Sequence, residues 1–205
     1  VGDMSRPQPM HRLLEGDVCC GNTIVALLAA LVAMENDLQV ALMAPTELLA
    51  EQHYLSIRTL LAPSRFQTAL LTGGMGAQSR RETTRAIECG ETNLVVGTHA
   101  LVQQKVRYRD LGLVVIDEQH RFGVIERATL REKGRRPDVL VMTATPIPRT
   151  LALTSYGDLD VSVIRDLPPQ RRPIKTTVLS ESRRKRAYRF VGKCLSEGQQ
   201  AYVVY

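Results

Sequence analysis

The sequence predicts an α/β fold in which helices cover both faces of a mostly parallel sheet. Short apolar runs rich in β-branched residues alternate with amphipathic stretches along most of the chain, which is the pattern of βαβ units. The runs are nearly continuous in hydrophobicity, as expected of strands buried on both faces. With 205 residues and 44% hydrophobic content, the chain can bury one full core and contain part of a second domain.

Each strand is predicted from a short apolar run bounded by polar or turn-forming residues. In chain order the runs are His11–Leu14, Gln39–Met43, Thr68–Leu71, Asn93–Gly97, Leu113–Ile116, Val139–Thr143 and Val161–Ile164. Helices are predicted where apolar residues recur at helical spacing between these runs. They are Thr23–Met34, Thr46–Leu61, Ser79–Cys89, Ile125–Lys133 and Pro148–Tyr156.

A proline-rich segment, Leu167–Pro173, interrupts this pattern and predicts an exposed connector between domains. We therefore expect one domain over residues 1–168 and a linker with the truncated start of a second domain over residues 169–205. A strand (Thr176–Leu179), a basic helix (Ser182–Ser196) and a terminal strand (Ala201–Tyr205) are predicted beyond the connector.

Charge and composition favour a nucleic-acid partner and argue against a membrane protein. The formal net charge is +6, and Lys and Arg neutralise phosphates on a polyanion. No run of about 18 apolar residues exists, so no membrane span is predicted. The four cysteines lack the spacing of a zinc site, and reduced thiols in a cytoplasmic protein are expected.

A glycine-bounded loop, GDVCCGNT at residues 16–23, joins the first predicted strand to the first helix. It matches the phosphate-loop pattern G-x-x-x-x-G-K-S/T at Gly16, Gly21 and Thr23, whereas Asn22 stands where the pattern has Lys. Backbone N–H groups of such a loop bind phosphate, the Lys neutralises it, and the hydroxyl ligates magnesium. The residues predicted to bind ATP are Gly16, Asp17, Val18, Cys19, Cys20, Gly21, Asn22 and Thr23, with Thr23 also on Mg²⁺. A plain strand–turn–helix connection is the alternative for this loop taken alone.

Two adjacent carboxylates, Asp117 and Glu118, follow the apolar run Val114–Ile116. Ligands of open α/β sheets bind at the carboxyl ends of strands, so this pair is predicted to complete a nucleotide site. Asp117 would hold Mg²⁺, and Glu118 would orient and deprotonate the attacking water. An ordinary acidic turn is the alternative for the pair in isolation.

Longer blocks of the sequence resemble superfamily-two helicases, whose nucleotide site lies in a RecA-like P-loop NTPase lobe. DEQH at residues 117–120 and TAT at residues 143–145 carry this resemblance. More narrowly, APTELLAEQH from Ala44, TGGM from Thr72, VGTHAL from Val96, DEQHRFGV from Asp117 and TATPIPRTLALTSYGDLD from Thr143 look like the RecG family of bacterial DNA branch-migration helicases. The resemblance runs from Arg6 to Tyr205.

This resemblance implies ATP- and Mg²⁺-dependent remodelling of branched or duplex DNA, such as stalled forks and Holliday junctions, in recombination and repair. It implies that four residues couple the nucleotide to lobe movement: Gln119, His120, Thr143 and Thr145. It also implies that three loops contact nucleic acid through Pro45, Thr46, Glu47, Gly73, Gly74, Thr98 and His99. For Thr46 a helix cap, and for Gly73 and Gly74 a simple turn, are equally good interpretations.

The resemblance further implies that a second RecA-like lobe and a wedge domain complete the full-length protein, which we expect to be a monomer. Because Asn22 lacks the positive charge of Lys, hydrolysis by this chain is expected to be feeble. A non-hydrolysing lobe that binds nucleic acid or a protein is therefore the alternative function. A third interpretation is an error in the determined sequence between Cys19 and Asn22.

Overall fold

The computed structural model describes residues 2–17, 20–118, 129–130, 132–145, 159–166 and 174–204. The chain divides into two compact units, Val1–Pro168 and Pro169–Tyr205. The predicted helix Pro148–Tyr156 and the connector Leu167–Pro173 lie outside the described residues. Of the predicted helix Ile125–Lys133, only a helical piece around Thr129 and Leu130 is described.

The first unit is built on a parallel sheet of seven described strands. They are β1 (His11–Gly16), β2 (Gln39–Met43), β3 (Thr68–Leu71), β4 (Leu94–Gly97), β5 (Leu111–Asp117), β6 (Asp138–Thr143) and β7 (Asp160–Ile164). Their order across the sheet is β3-β4-β2-β5-β6-β1-β7. Every neighbouring pair is parallel, which confirms the predicted α/β fold with a parallel sheet.

Helices lie between the strands in sequence, as the hydrophobic pattern predicts. They are α1 (Asn22–Glu35), α2 (Glu47–Leu61) and α3 (Ala77–Cys89), with short 3-10 turns at Asp3–Ser5 and His99–Val102. The three helices and all seven strands overlap the predicted ranges, with ends that differ by at most two residues. Among the described residues, no helix has the length and apolar character needed to cross a membrane.

Two hydrophobic clusters lie on the two faces of the sheet, because successive strand residues point to opposite faces. In β2, Val40 and Leu42 belong to the cluster that contains α1 and α2 residues, whereas Ala41 and Met43 belong to the one that contains Ile87 of α3. All four β2 residues are almost fully buried. The helices therefore cover both faces, as predicted.

The buried Gln39 side chain ties together three segments at the amino-terminal edge of the sheet. Its amide nitrogen donates to the carbonyl oxygens of Ile87 and Thr92 at 2.9 and 2.8 Å. Its carbonyl oxygen accepts from the backbone N–H groups of Arg109 and Asp110 at 2.7 and 3.1 Å. One buried side chain thus bonds four backbone groups, of which the Ile87 carbonyl also accepts from the Gly90 N–H at 3.1 Å.

The second unit contains helix α4 (Arg184–Ser196), preceded by a 3-10 turn at Glu181–Arg183, in agreement with the predicted basic helix. The predicted strand Thr176–Leu179 is wrong, since residues 174–180 have no regular structure. Residues 201–204 of the predicted terminal strand are likewise irregular. A strand requires a neighbour to satisfy its N–H and C=O groups, and no described residue of this unit pairs with either segment.

Candidate nucleotide site and nucleic-acid interface

Three neighbouring strands of the sheet place the predicted nucleotide-binding residues at one edge. The strands β5, β6 and β1 are adjacent and parallel, with Asp117 opposite Met142 and Glu15 opposite Thr143. Their carboxyl ends therefore lie side by side. The loop at residues 16–23 leaves from β1, the acids Asp117 and Glu118 from β5, and the loop at residues 143–145 from β6.

The loop after β1 turns sharply into α1 at Gly21. This glycine is the residue before the helix and has φ of 103°, a left-handed conformation that an L side chain rarely adopts. The helix start has no side-chain cap, so its first amides remain available for an anion. A Cβ on Gly16 would lie 2.3 Å from Cys20 Sγ and 2.6 Å from the Asn22 side-chain oxygen. Both glycines are thus required by the local backbone.

The described residues of this loop hydrogen-bond to one another. The N–H of Cys20 donates to the Asp17 carbonyl at 3.1 Å. The side-chain nitrogen of Asn22 donates to the Gly16 carbonyl at 3.0 Å and lies 3.5 Å from the Thr143 carbonyl. Asn22 is therefore occupied by loop and strand carbonyls, and its short neutral side chain offers no charge to a phosphate.

The Asn22–Thr143 contact connects the phosphate-loop candidate with the end of β6, and Glu118 connects the same strand end with β5. The N–H of Glu118 donates to the Met142 carbonyl at 3.0 Å, and its carboxylate oxygen accepts from the Ala144 N–H at 3.2 Å. The loop after β1 and Glu118 therefore both contact one short segment, residues 142–144.

Glu118 adopts a backbone conformation unusual for a residue with a side chain. Its φ is 50°, in the left-handed region that costs a non-glycine residue about 1–2 kcal/mol. The hydrogen bonds to Met142 and Ala144 hold it there. Local strain of this kind accumulates at functional sites, and here it turns the carboxylate toward the loop after β6.

A residue that the sequence did not single out, His53, is part of this site. Its Nε2 lies 2.7 Å from Asp117 Oδ2, and the two side chains are only 14% and 17% exposed. An ionised carboxylate can only accept, so His53 donates in this contact. His53 lies within the APTELLAEQH block on α2. Only its contact with Asp117, 64 residues away in the sequence, distinguishes His53 from an ordinary helix residue.

The loop after β6 has its own internal hydrogen bonds. The Thr143 hydroxyl lies 3.0 Å from the Thr145 hydroxyl and accepts from the Thr145 N–H at 3.2 Å. Thr143 is buried and Thr145 is exposed. Ala144, which lies between them, donates its N–H to the Glu118 carboxylate. A movement of this carboxylate, the candidate catalytic group, would therefore displace the loop.

The residues present fit a magnesium ion held together with nucleotide phosphates. Mg²⁺ in such sites takes one or two protein carboxylates and completes its shell with phosphate oxygens and water. Asp117 uses Oδ2 for His53, and no described residue contacts its other oxygen. Thr23 is the second residue of α1 and only partly exposed. Within the described ranges no cluster of three His, Cys, Asp or Glu side chains forms a metal cage.

The three loops predicted to contact nucleic acid follow β2, β4 and β3, which are also neighbours in the sheet. The Glu47 carboxylate accepts from the Gly74 N–H at 2.7 Å. A Cβ on Gly73 would lie 3.0 Å from Glu47 and 3.9 Å from the His99 ring. The loops therefore form one continuous surface, on which Glu47, Gly73, Gly74 and His99 are exposed.

Two other predicted contact residues, Thr46 and Thr98, differ in their surroundings. The Thr46 hydroxyl accepts from the Leu49 N–H at 3.3 Å and caps α2, so the capping interpretation is correct for the chain as it stands. Thr98 is buried, and its hydroxyl has no hydrogen-bond partner among the described residues. Pro45 is partly exposed beside them.

Four predicted site residues lie outside the described residues: Val18, Cys19, Gln119 and His120. Their roles stay predictions. Cys20, Cys89 and Cys194 have free thiols.

Comparison with known proteins agrees with the geometry. A family model described as DEAD/DEAH box helicase matches residues 8–154. The chain is 48% identical over 210 residues to the ATP-dependent DNA helicase RecG of Treponema pallidum, an alignment that covers 99% of this chain and 31% of that protein. It is 52% identical over 207 residues to RecG of Haemophilus influenzae, covering 98% and 30%.

Solved structures show the same relationship. A structure of RecG bound to a three-way DNA junction superposes with a TM-score of 0.86 and 42% identity, covering 100% of this chain and 27% of that one. A DEAD box protein from Methanococcus jannaschii superposes with a TM-score of 0.58 and 19% identity over 75% of this chain and 44% of that one, which supports the fold alone. The chain spans about a quarter to a third of the length of the relatives named RecG.

Proposed function

Because the chain belongs to the DEAD/DEAH box helicase family, we propose that residues 1–168 are the first RecA-like lobe of an ATP-dependent DNA helicase of the RecG type. Residues 169–205 would be the linker and the start of the second lobe. The proposed substrate is branched DNA, such as stalled forks and Holliday junctions, which the complete protein remodels in recombination and repair. The similarity to a RecG structure bound to a DNA junction supports this substrate.

The observation that supports the proposal is that two segments remote in sequence both contact residues 142–144. Asn22 of the loop reaches the Thr143 carbonyl, and Glu118 bonds the neighbouring Ala144 amide. A nucleoside triphosphate bound at the start of α1 would have its terminal phosphates beside Asp117 and Glu118. Convergence of a phosphate loop and two carboxylates is what phosphoryl transfer requires.

The chain's own residues divide the work of hydrolysis. The amides at the start of α1 would bind phosphate oxygens, and Asp117 with Thr23 would hold magnesium, which supplies charge neutralisation when bound. Glu118 would orient the attacking water and accept its proton. Four residues would couple the bound nucleotide to movement of the second lobe: Thr143, Thr145, Gln119 and His120.

The nucleic-acid surface would be formed by the loops that carry Pro45, Thr46 and Glu47, Gly73 and Gly74, and Thr98 and His99. The exposed glycines Gly73 and Gly74 and the exposed His99 ring suit contacts to a phosphate backbone, which fix position without reading sequence. We also propose that the full-length protein acts as a monomer in the cytoplasm, where its second lobe and wedge domain complete the motor.

A non-hydrolysing lobe that binds nucleic acid or protein is the second candidate, and the geometry of Asn22 favours it. Its amide is satisfied by the Gly16 carbonyl, and the Cys20 N–H by Asp17, so the loop loses these donors to internal contacts. Under this candidate the lobe keeps its nucleic-acid surface but no nucleotide site.

Titration of the chain with a fluorescent ATP analogue, with and without Mg²⁺, separates the two candidates. The motor proposal expects binding that Mg²⁺ strengthens, and it expects Asp117→Asn to remove the Mg²⁺-dependent part while leaving Mg²⁺-free binding intact. Absence of any nucleotide binding would favour the non-hydrolysing lobe. A fluorescent oligonucleotide titrated in parallel tests the nucleic-acid surface, and its failure to bind would contradict the motor proposal and leave only a protein-binding lobe.

A further inference from the structure

Helix α2 contacts both candidate sites through side-chain hydrogen bonds. At its first residue, the Glu47 carboxylate accepts from the Gly74 N–H at 2.7 Å in the loop after β3. Further along, His53 Nε2 lies 2.7 Å from Asp117 Oδ2 at the end of β5. The helix therefore bonds the proposed nucleic-acid surface at one point and the proposed metal ligand at another.

The contact at the nucleic-acid surface places the Glu47 carboxylate directly against the loop backbone. A Cβ on Gly73 would lie 3.0 Å, and a Cβ on Gly74 2.9 Å, from the Glu47 carboxylate oxygens. A shift of this loop therefore bears on the Glu47 side chain. The Arg80 guanidinium donates to the Thr72 and Gly73 carbonyls at 2.7 and 2.9 Å, which limits independent movement of the loop.

The helix between the two contacts is a rigid connector. Glu47 and His53 are six positions apart, which is about 9 Å along an α-helix. Ala50, between them, is fully buried, so this stretch packs closely on the sheet. Backbone hydrogen bonds fix each turn to the next, so a shift of the first turn also moves His53.

The contact at the metal site acts on a ligand candidate. His53 donates to one carboxylate oxygen of Asp117 and leaves the other oxygen without a contact from any described residue. A hydrogen-bonding partner of this kind orients a metal ligand, and its loss typically lowers metal affinity about 10- to 100-fold. His53 would therefore act through Asp117 as a positioning residue.

We propose that helix α2 links nucleic-acid contact to the nucleotide site, with Glu47 sensing the loop at Gly73–Gly74 and His53 setting the orientation of the Asp117 carboxylate. This inference rests on the proposed function. Linkage of this kind is reciprocal in free energy, so nucleic acid changes Mg²⁺–nucleotide affinity by the factor by which Mg²⁺–nucleotide changes nucleic-acid affinity.

The first test follows the His53 ring in the isotopically labelled chain by NMR, without nucleotide or metal. Addition of a single-stranded oligonucleotide is expected to shift the His53 ring signals in the parent chain and in Glu47→Gln, which keeps an acceptor for the Gly74 amide. Glu47→Ala is expected to lose the shift. Glu51→Ala is the matched control, since Glu51 is an exposed acid on the same helix, and it should respond like the parent.

Oligonucleotide binding is measured on the same samples by fluorescence anisotropy. If the parent chain binds the oligonucleotide but the His53 signals do not move, or if they move equally in Glu47→Ala, the linkage is wrong and the proposed function stands. If the parent chain binds no oligonucleotide, the proposed function fails, and the linkage fails with it.

The second test measures fluorescent ATP analogue binding with and without Mg²⁺ in two His53 variants. His53→Leu is expected to weaken the Mg²⁺-dependent binding about 10- to 100-fold while leaving Mg²⁺-free binding unchanged. His53→Gln, whose side-chain nitrogen can occupy the position of Nε2, is expected to recover most of the loss. Equal losses with and without Mg²⁺, or no recovery by Gln, would show that His53 is only a packing residue.

Discussion

Replacing Asn22 with Lys is the perturbation whose effect follows most directly from the loop. Asn22 donates to the Gly16 carbonyl at 3.0 Å and reaches the Thr143 carbonyl at 3.5 Å, so it stands at the junction of the loop and the acids but carries no charge. A lysine there would extend beyond these carbonyls to the terminal phosphates. Asn22→Lys is therefore expected to bind nucleotide more tightly.

The expected gain in nucleotide affinity of Asn22→Lys follows from the free energy of one charge-assisted hydrogen bond. Such a bond contributes about 1.5–3 kcal/mol, and about 1.4 kcal/mol corresponds to a tenfold change in affinity. Titration with a fluorescent ATP analogue and Mg²⁺ should therefore show a dissociation constant about 10- to 100-fold lower than that of the parent. ATP hydrolysis should rise on the order of a hundred- to thousandfold.

Asn22→Met is the matched control, because methionine is nearly as long as lysine and has no charge. It is expected to bind nucleotide no better than the parent. Equal affinity and equal hydrolysis rates for Asn22→Lys and the parent would refute the electrostatic argument. An equal gain from Asn22→Met would show that Asn22 acts by blocking the loop rather than by lacking a charge.

Three further substitutions test the fold. Gln39→Leu removes the side-chain hydrogen bonds to four backbone groups, of which the Ile87 carbonyl also accepts from the Gly90 N–H. The free energy of unfolding in urea should fall by about 3 kcal/mol; a loss below about 1 kcal/mol would contradict this role. Leu113→Ala leaves a cavity at a fully buried position of β5 and should cost about 2–5 kcal/mol, whereas an unchanged urea midpoint would contradict the described packing. Burial raises the pKa of the Asp138 carboxyl, partly offset by the N–H of Met10. The contribution of the Asp138 carboxyl to the free energy of unfolding is therefore greatest below about pH 4. It is lost as the pH rises through the raised pKa of Asp138. Asp138→Asn keeps the acceptor without ionising, so it should unfold at higher urea than the parent at pH 7 but not at pH 3, and a parent that is the more stable at pH 7 would contradict the argument.

Local patterns were sufficient to predict the sheet. The strands Gln39–Met43 and Thr68–Leu71 have the bounds expected from their apolar runs, because a strand buried on both faces must be apolar throughout. The strand expected at Thr176–Leu179 has the same local character, yet residues 174–180 are irregular. Strand formation depends on a partner, and a local run contains no information about whether one is present.

The site was predicted only as far as sequence motifs reach. Gly21, Asp117 and Glu118 belong to recognisable patterns, and they lie where the strand ends place them. The contact between His53 and Asp117 joins positions 64 apart in the sequence, so periodicity on α2 could not identify it. Gln39 looked like the polar first residue of a strand, and only the packing of three distant segments around it explains its burial.

The central claim is that the loop around Gly21 and the acids after β5 serve one metal–nucleotide complex. Paramagnetic NMR with Mn²⁺ and a non-hydrolysable ATP analogue tests it most directly, on the parent chain and on Asn22→Lys as its tighter-binding form. Bound Mn²⁺ is expected to broaden the amide signals of Gly21 to Thr23 and those of Asp117 and Glu118 together. Broadening of only one of these two groups would contradict this claim.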